Sequence, residues 1–329
     1  MHLPERDLNH VLEHTAAIWP NLRGERVFLT GGTGFVGTWL VESFLWANRQ
    51  LNLGARMVIL SRQPPESQDP AVEYLAGDGV TFDFPAGAFA FAVHAANDLS
   101  FSRNVETTQR VLEFASTHAT KKLLFTSSGA AYGTQPPEMS HLPESYSGMA
   151  VTPYGMAKRE SERMIAAFGG VIARLFAFVG PCLPLDANYA VGNFIGNVLR
   201  SEPIRITGDG TPYRSYLYAA DLAIWLWTML LRGEPAQAYN VGSPEAVNIA
   251  TLAATVVQNT RPGTPIVIAE APQPGALPAR YVPGIQRAEQ ELNLRVLISL
   301  ADGIRRTYNW HLRRDHSRQG NPPVLQEPN

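Results

Sequence analysis

Short apolar runs alternate with amphipathic stretches along the first half of the chain. "RVFLT" (26–30), "RMVILS" (56–61), "FAFAVHAA" (89–96), "KLLFTSS" (122–128) and "GVIARLFAFVG" (170–180) have the length and the β-branched and aromatic content of buried strands. Between them, "TWLVESFLWANRQ" (38–50) and "VETTQRVLEFASTH" (105–118) carry the period of helices. A further helix is predicted from "TPYGMAKRE" (152–160), with Thr152 as N-cap, Pro153 at the first helical position and Gly169-Gly170 as the stop. Buried strands alternating with helices predict an α/β architecture, a doubly wound parallel sheet of the Rossmann type. Such sheets bind ligands beyond the carboxyl ends of their strands, which places a site in the loops after "FLT", "ILS", "VHAA" and "FTSS".

After Pro181 the texture changes to shorter strands, turns and prolines, as in "IRITGDGTPYRSYLYAAD" (204–221), "QAYNVGS" (237–243) and "PQPGALPARYVPG" (272–284). Residues 1–180 are therefore expected to form a dinucleotide-binding domain, with 219–243 returning to it. Residues 181–312 should be mainly a smaller C-terminal α/β substrate lobe. "SLADGIRRTYNWH" (299–311) reads as a terminal helix capped by Ser299, with Asp302 three residues on. The polar segment 313–329 is expected to be a disordered tail. "LAIWLWTMLL" (222–231) is about half the length of a membrane span and reads as a buried helix.

Composition narrows the class. Of 329 residues, 45% are hydrophobic and 17% charged, enough for a large core. A formal net charge of -2 gives no electrostatic reason to expect nucleic acid or an anionic membrane surface as partner. Cys182 is the only cysteine, which excludes an internal disulfide and a cysteine metal cluster and fits a reducing, cytoplasmic location. The N-terminal "MHLPERDLNH" lacks the apolar core of a signal peptide. His94, His118 and His141 are scattered without metal-ligand spacing, so no metal is expected.

"VFLTGGTGFVGTWL" sets Gly31, Gly34 and Gly37 at three-residue spacing between a strand and a helix. Gly31 suits the tight turn, Gly34 lets backbone approach a pyrophosphate, and Gly37 lets the helix pack against the strand. The amides around Phe35 and Val36 then sit at a helix N-terminus, where the helix dipole favours an anion. This predicts a dinucleotide, NAD or NADP. NAD sites usually carry an acidic residue after the second strand, whereas "VILSRQ" offers Ser61 and Arg62. Arg62 can pair with a 2′-phosphate, stack on adenine, or be solvated. Asp78, next to Gly79 in "LAGDGVTFDFP", can accept from the adenine amine or serve only as a turn residue.

At about 100° per residue, Ala157, Ser161, Ile165 and Phe168 share a helical stripe with Tyr154 and Lys158. Arg159, Glu162 and Arg163 are expected on the opposite, solvated side. An inward lysine beside a cofactor can hold ribose hydroxyls and lower the tyrosine pKa from its usual value of about 10. The tyrosine can then exchange a proton with a substrate oxygen. Ser128, at the end of "KLLFTSS", can hydrogen-bond the same oxygen.

Together these motifs resemble the extended short-chain dehydrogenase/reductase family, in its nucleotide-sugar epimerase/dehydratase branch, from about Arg26 to Trp310. "TGGTGFVG", "HAA" (94–96), "NVETT" (104–108), "TSSGAAYG", "YGMAK" and "GDGTPYRSYLYAADLA" carry the resemblance. It implies Ser128, Tyr154 and Lys158 as the catalytic triad, His94, Ala95 and Ala96 as a cofactor contact, and Asn104 as a structural support. It also implies a nucleotide-diphosphate sugar as substrate, with Asn193, Arg214 and Arg280 at the diphosphate, where a planar guanidinium can engage phosphate bidentately. A homodimer through a helix bundle, and hydride removal at C4 of the sugar, follow from the same resemblance.

The chain departs from that family in four places. Dehydratases carry an Asp-Glu pair directly after the catalytic hydroxyl residue and decarboxylases usually a glutamate, but this chain has Gly129 and Ala130. The segment Asn97 to Arg103 is short, Ala177 stands where an asparagine is usual, and the acidic residue after the second strand is missing. The expected activity is a nucleotide-sugar epimerase. Alternatives are an NADPH-dependent 4-keto nucleotide-sugar reductase, then a 4,6-dehydratase, then a non-catalytic dinucleotide sensor on the same scaffold.

Overall fold

The structure is a computed structural model that describes residues 2–66, 69–187 and 189–318. Six strands alternate with helices through the first half of the chain: β1 (Arg26–Thr30), β2 (Arg56–Ser61), β3 (Val72–Ala76), β4 (Phe91–His94), β5 (Lys122–Ser128) and β6 (Val171–Leu175). The helices before and between them are α1 (Glu5–Thr15), α2 (Phe35–Gln50), α3 (Phe101–Thr117) and α4 (Pro153–Phe168). Beyond them lie strands β7 (Phe178–Val179), β8 (Ile204–Ile206), β9 (Tyr213–Arg214), β10 (Leu217–Tyr218), β11 (Ala238–Val241), β12 (Val247–Asn248), β13 (Ile266–Ile268) and β14 (Arg280–Tyr281). The remaining helices are α5 (Ala190–Leu199), α6 (Ala219–Arg232), α7 (Ile249–Asn259), α8 (Gln286–Leu292) and α9 (Leu300–Arg318).

Seven strands form one sheet in the order β11-β6-β5-β4-β1-β2-β3, and every pairing in it is parallel. This is the doubly wound α/β fold the apolar alternation predicts. Successive side chains of a strand point to opposite faces, and β1 shows the consequence. Val27 and Leu29 join the cluster that contains Trp39 and Phe44, while Phe28 joins Val58, Phe114 and Phe125 on the other face. Helices cover both faces, so the strands read as continuous apolar runs.

The order of the sheet reverses beside β1, between β4 and β2, and the carboxyl ends of these strands open on the site. After β6 the chain builds a smaller set of sheets, β12-β9-β14 and β13-β8, with α5 and α7 packed on them. β11 then pairs with β6 at the edge of the main sheet. Every residue of α6 from Ala219 to Leu231 is buried, which accounts for "LAIWLWTMLL". No helix among the described residues is long and apolar enough to cross a membrane.

α1 was not foreseen. It lies across α6 and α2, and its buried Asp7 accepts from the Tyr218 hydroxyl at 2.6 Å and from Arg306 at 2.7 Å. At the other end, Ser299 Oγ accepts from the Asp302 amide at 3.3 Å as α9 begins. α9 continues to Arg318, past the expected start of a tail at 313, and residues 319–329 lie outside the described residues.

Candidate active site

The loop between β1 and α2 is built around glycines because backbone crowds it. Gly31 has φ +76°, and a Cβ there would stand 2.5 Å from the Ala95 carbonyl. A Cβ on Gly37 would stand 2.2 Å from the Gly31 carbonyl oxygen. Gly34 differs: its nearest neighbour would be the Gly31 oxygen at 3.5 Å, an ordinary contact. Gly34 is the N-cap of α2 and offers no side chain to the first amides, so those of Phe35, Val36 and Gly37 remain donors for an anion.

Two adjoining cavities of about 780 and 340 Å³ open here and share Gly31, Gly34, Ala95 and Asn97. The larger runs past Ser61, Arg62, Gly77, Gly79, Ala96 and Arg103. The smaller runs past Phe35, Val36 and Gly37 to Ser128, Tyr154 and Lys158. A crowded glycine cradle, an uncapped helix N-terminus and an elongated cleft fit a dinucleotide, with its pyrophosphate at α2.

At the adenosine end, Ser61 Oγ accepts from the Gln63 amide at 3.3 Å, and Arg62 is exposed at the rim. Asp78 is already engaged. Its carboxylate accepts from the Val80 amide at 3.0 Å and from Arg103 at 2.5 Å, and these bonds hold it below the usual carboxylate range. Arg103 also reaches Asp98 at 3.5 Å, a bridge at the cavity wall that the sequence did not disclose.

His94 is corrected by the structure. Ala95 and Ala96 line the cavity, but the imidazole points into the core and is 1% exposed. Thr108 Oγ1 donates to the Asn104 carbonyl at 2.8 Å, so it accepts from His94 Nε2–H at 3.2 Å. Nδ1 then accepts from Thr30 Oγ1 at 2.8 Å, and that oxygen in turn accepts from the Ala96 amide at 3.1 Å. Burial, with the charge of Lys158 as a second cause, pushes the imidazole pKa down to about 3, so it stays neutral. Its side chain braces the cofactor loop from below. Asn104 braces it from the side, donating to the carbonyls of Asp98 and Ser100 and accepting from the Asp98 amide at 3.2 Å.

The reactive residues meet where β5 ends and α4 begins. Thr152 Oγ1 accepts from the Gly155 amide at 3.0 Å, which starts α4 and sets Tyr154 in its first turn. Ser128 ends β5, its Oγ accepting from the Ala130 amide at 3.1 Å. Burial raises the Tyr154 phenol above its usual value, and the Ser128 hydroxyl opposes that rise. The Lys158 ammonium does not offset this rise while it is turned to the Thr126 carbonyl. Lys158 is 2% exposed, donates to the Thr126 carbonyl at 3.0 Å and lies 5.7 Å from the centre of the Tyr154 ring. Burial pushes its pKa down to about 8, with Glu162 acting the other way.

Glu162 is also corrected. It is buried, not solvated, and accepts from Ser127 Oγ at 2.5 Å and from Arg174 at 2.7 and 2.9 Å. In the smaller lobe, β9 and β14 pair in parallel and bring Arg214 and Arg280 onto neighbouring strands, with Arg280 over the Tyr213 ring at 4.3 Å. Asn193 lies apart on α5, one turn beyond Tyr189, which lines the catalytic cavity. Tyr281, next to Arg280, is a residue the motifs missed: its hydroxyl stands beside Gly129, 2.5 Å from where a Cβ there would be.

The chain is similar to known proteins. A UDP-glucuronic acid decarboxylase of Arabidopsis thaliana is 27% identical over 313 residues, spanning 85% of this chain and 68% of the plant protein. The fold is similar to that of a UDP-glucose 4-epimerase from Thermotoga maritima solved with UDP-glucose, with a TM-score of 0.74 at 19% identity over 88% of this chain and 99% of that one. It is equally similar to a dTDP-glucose 4,6-dehydratase from Bacillus anthracis in complex with NAD, with a TM-score of 0.75 at 16% identity over 89% and 98% of the two chains. With residues 27–242 matching the family model, the chain belongs to the NAD-dependent epimerase/dehydratase family, enzymes of the extended short-chain dehydrogenase/reductase branch.

Proposed function

We propose that the protein is a nucleotide-sugar epimerase that transiently oxidises C4 of the sugar and keeps its NAD between the two half-reactions. One observation carries this reading. Ser128, Tyr154 and Lys158 line a single cavity, yet the positions directly after Ser128 are Gly129 and Ala130, which have no ionisable group. Oxidation and re-reduction at C4 need only a base for the hydroxyl proton. Dehydration needs a further acid–base pair, so that reading ranks lower.

When bound, the nicotinamide supplies the acceptor and later the donor of the C4 hydride. Tyr154, as phenolate, takes the C4 hydroxyl proton and returns it after the ketone has turned in the site. Ser128 donates a hydrogen bond to the same oxygen. Lys158 is placed to hold ribose hydroxyls once it leaves the Thr126 carbonyl, and from there its charge would favour the phenolate. Arg214 and Arg280 are the candidates for the sugar diphosphate, with Asn193 on α5 a further candidate from a separate element. α3 and α4 pack together with Phe101, Met149 and Met156 exposed around them, which supports a homodimer through this face.

The test begins with denaturing the purified protein and identifying the released nucleotide by mass spectrometry. The protein is then incubated with UDP- and dTDP-hexoses and with UDP-glucuronic acid, and the products are read by NMR. Near-stoichiometric NAD and interconversion of C4 epimers support the reading. Loss of carbon dioxide, or a 4-keto-6-deoxy product, overturns it. A second reading rests on Arg62 at the cavity rim: an empty protein that binds added NADPH and reduces a 4-keto nucleotide sugar would be a reductase.

A further inference from the structure

Tyr281 reaches the residue after the catalytic serine from the far end of the chain. It lies on β14 opposite Arg214 of β9, and the segment that carries it is fastened to the loop following Ser128. The Val282 amide donates to Gln135 Oε1 at 2.8 Å, and the Val282 carbonyl accepts from the Leu142 amide at 2.8 Å. The Tyr281 ring packs on Phe176 with centroids 4.7 Å apart. A Cβ on Gly129 would stand 2.5 Å from the Tyr281 hydroxyl, 2.8 Å from its Cζ and 2.9 Å from Phe176 Cε1. The space that a side chain after Ser128 would need is therefore filled from the other lobe.

The hydroxyl of Ser128 has one proton and two lone pairs. One lone pair accepts from the Ala130 amide. We propose that Tyr281 is a positioning and specificity-determining residue: its O–H donates to the second lone pair of Ser128, and its ring excludes any acid at position 129. The Ser128 proton is then left for the oxygen shared with Tyr154. Burial raises the Tyr281 phenol well above the ordinary tyrosine value, so it stays protonated and donates. With glycine at position 129, no carboxylate directly after Ser128 is available to take a proton from carbon. The inference rests on the epimerase reading for its choice of reaction, but not for the role of Tyr281 on Ser128.

Tyr281→Phe keeps the ring and removes only the hydroxyl. In the NAD-loaded protein, the ionisation of Tyr154, followed by ultraviolet difference spectroscopy against Tyr154→Phe, should move to higher pH. With substrate, kcat should fall about tenfold while KM changes less than about twofold. Unchanged titration and unchanged kcat would overturn the positioning role. For the packing role, Gly129→Ala should lower the melting temperature more in the unaltered background than in Tyr281→Ala. Equal drops overturn it. The titration and melting comparisons need no sugar, so a protein that converts no nucleotide sugar would overturn the epimerase reading and still leave Tyr281 decided.

Discussion

Glu162, one turn beyond Lys158 on α4, forms a bidentate ion pair with Arg174 of β6 at 2.7 and 2.9 Å. Both side chains are largely enclosed, at 7% and 16% exposure. The same carboxylate accepts from Ser127, so the helix that carries Tyr154 is tied to the strand that ends in Ser128. Removing one partner of such a pair leaves a buried charge uncompensated, which costs about 3–5 kcal/mol. Glu162→Ala should lose that much unfolding free energy in urea. Glu162→Leu with Arg174→Leu should recover most of it, since an apolar pair leaves no orphan charge.

Lys158 should make stability depend on pH in an unusual direction. Its folded pKa of about 8 is below the unfolded value of about 10.5, so between these values the unfolded chain binds the proton and the native state does not. Stability therefore rises with pH across that window. Relative to Lys158→Met, the unaltered protein should gain on the order of 3 kcal/mol as pH climbs from about 8 to about 10.5. Comparison with the variant cancels the tyrosines, which titrate in the same range. A constant gap between the two unfolding curves would show that the ammonium is not desolvated.

His94 gives the acid counterpart. Its folded pKa, near 3, lies below the unfolded value of about 6.5, so the contribution is present at neutral pH and is lost as pH falls between them. The slope is about 1.4 kcal/mol per pH unit where only the unfolded chain is protonated. His94→Gln should be less stable at pH 7, because Thr30 and Thr108 lose well-aligned partners. Its urea midpoint should also fall less steeply between pH 6 and pH 4.

The elements that sequence made legible are those fixed by local chemistry. β1 and β5 have the bounds of their apolar runs, and α4 starts on Thr152 and Pro153 and stops at Gly169 in the left-handed conformation. The glycine loop announces itself by its spacing between strand and helix: Gly31 and Gly37 answer nearby backbone collisions, and Gly34 leaves the first amides of α2 uncovered. What stayed hidden depends on partners far along the chain. α1 has few apolar positions, and Asp7 and His10 are drawn in by Tyr218 and Asp221. Glu162 sits at the border of the helical stripe, and only Arg174 on the next strand decides that it faces inward. His94 follows the apolar strand that carries it, so it is buried, and its hydroxyl partners were not visible in a linear motif. Tyr281 belongs to no motif and comes to stand beside Gly129 only because the fold brings β14 back from the far end of the chain.

Gly34 and Gly37, three residues apart, should separate binding from folding. A Cβ at Gly37 would lie 2.2 Å from the Gly31 oxygen and 2.4 Å from Gly32 Cα, both backbone atoms that cannot move aside cheaply. Gly37→Ala should therefore cost about 1–3 kcal/mol or more in unfolding free energy, as overpacking does, and distort the turn. A Cβ at Gly34 meets nothing closer than 3.5 Å, and the backbone there has φ -82°, open to any residue. Gly34→Ala should unfold within about 0.5 kcal/mol of the unaltered protein. Its methyl would project into the cleft where the pyrophosphate must approach the α2 amides, so NAD affinity measured by calorimetry should fall about tenfold or more, a loss of about 1.4 kcal/mol. Unchanged affinity in Gly34→Ala would place the pyrophosphate somewhere other than the N-terminus of α2.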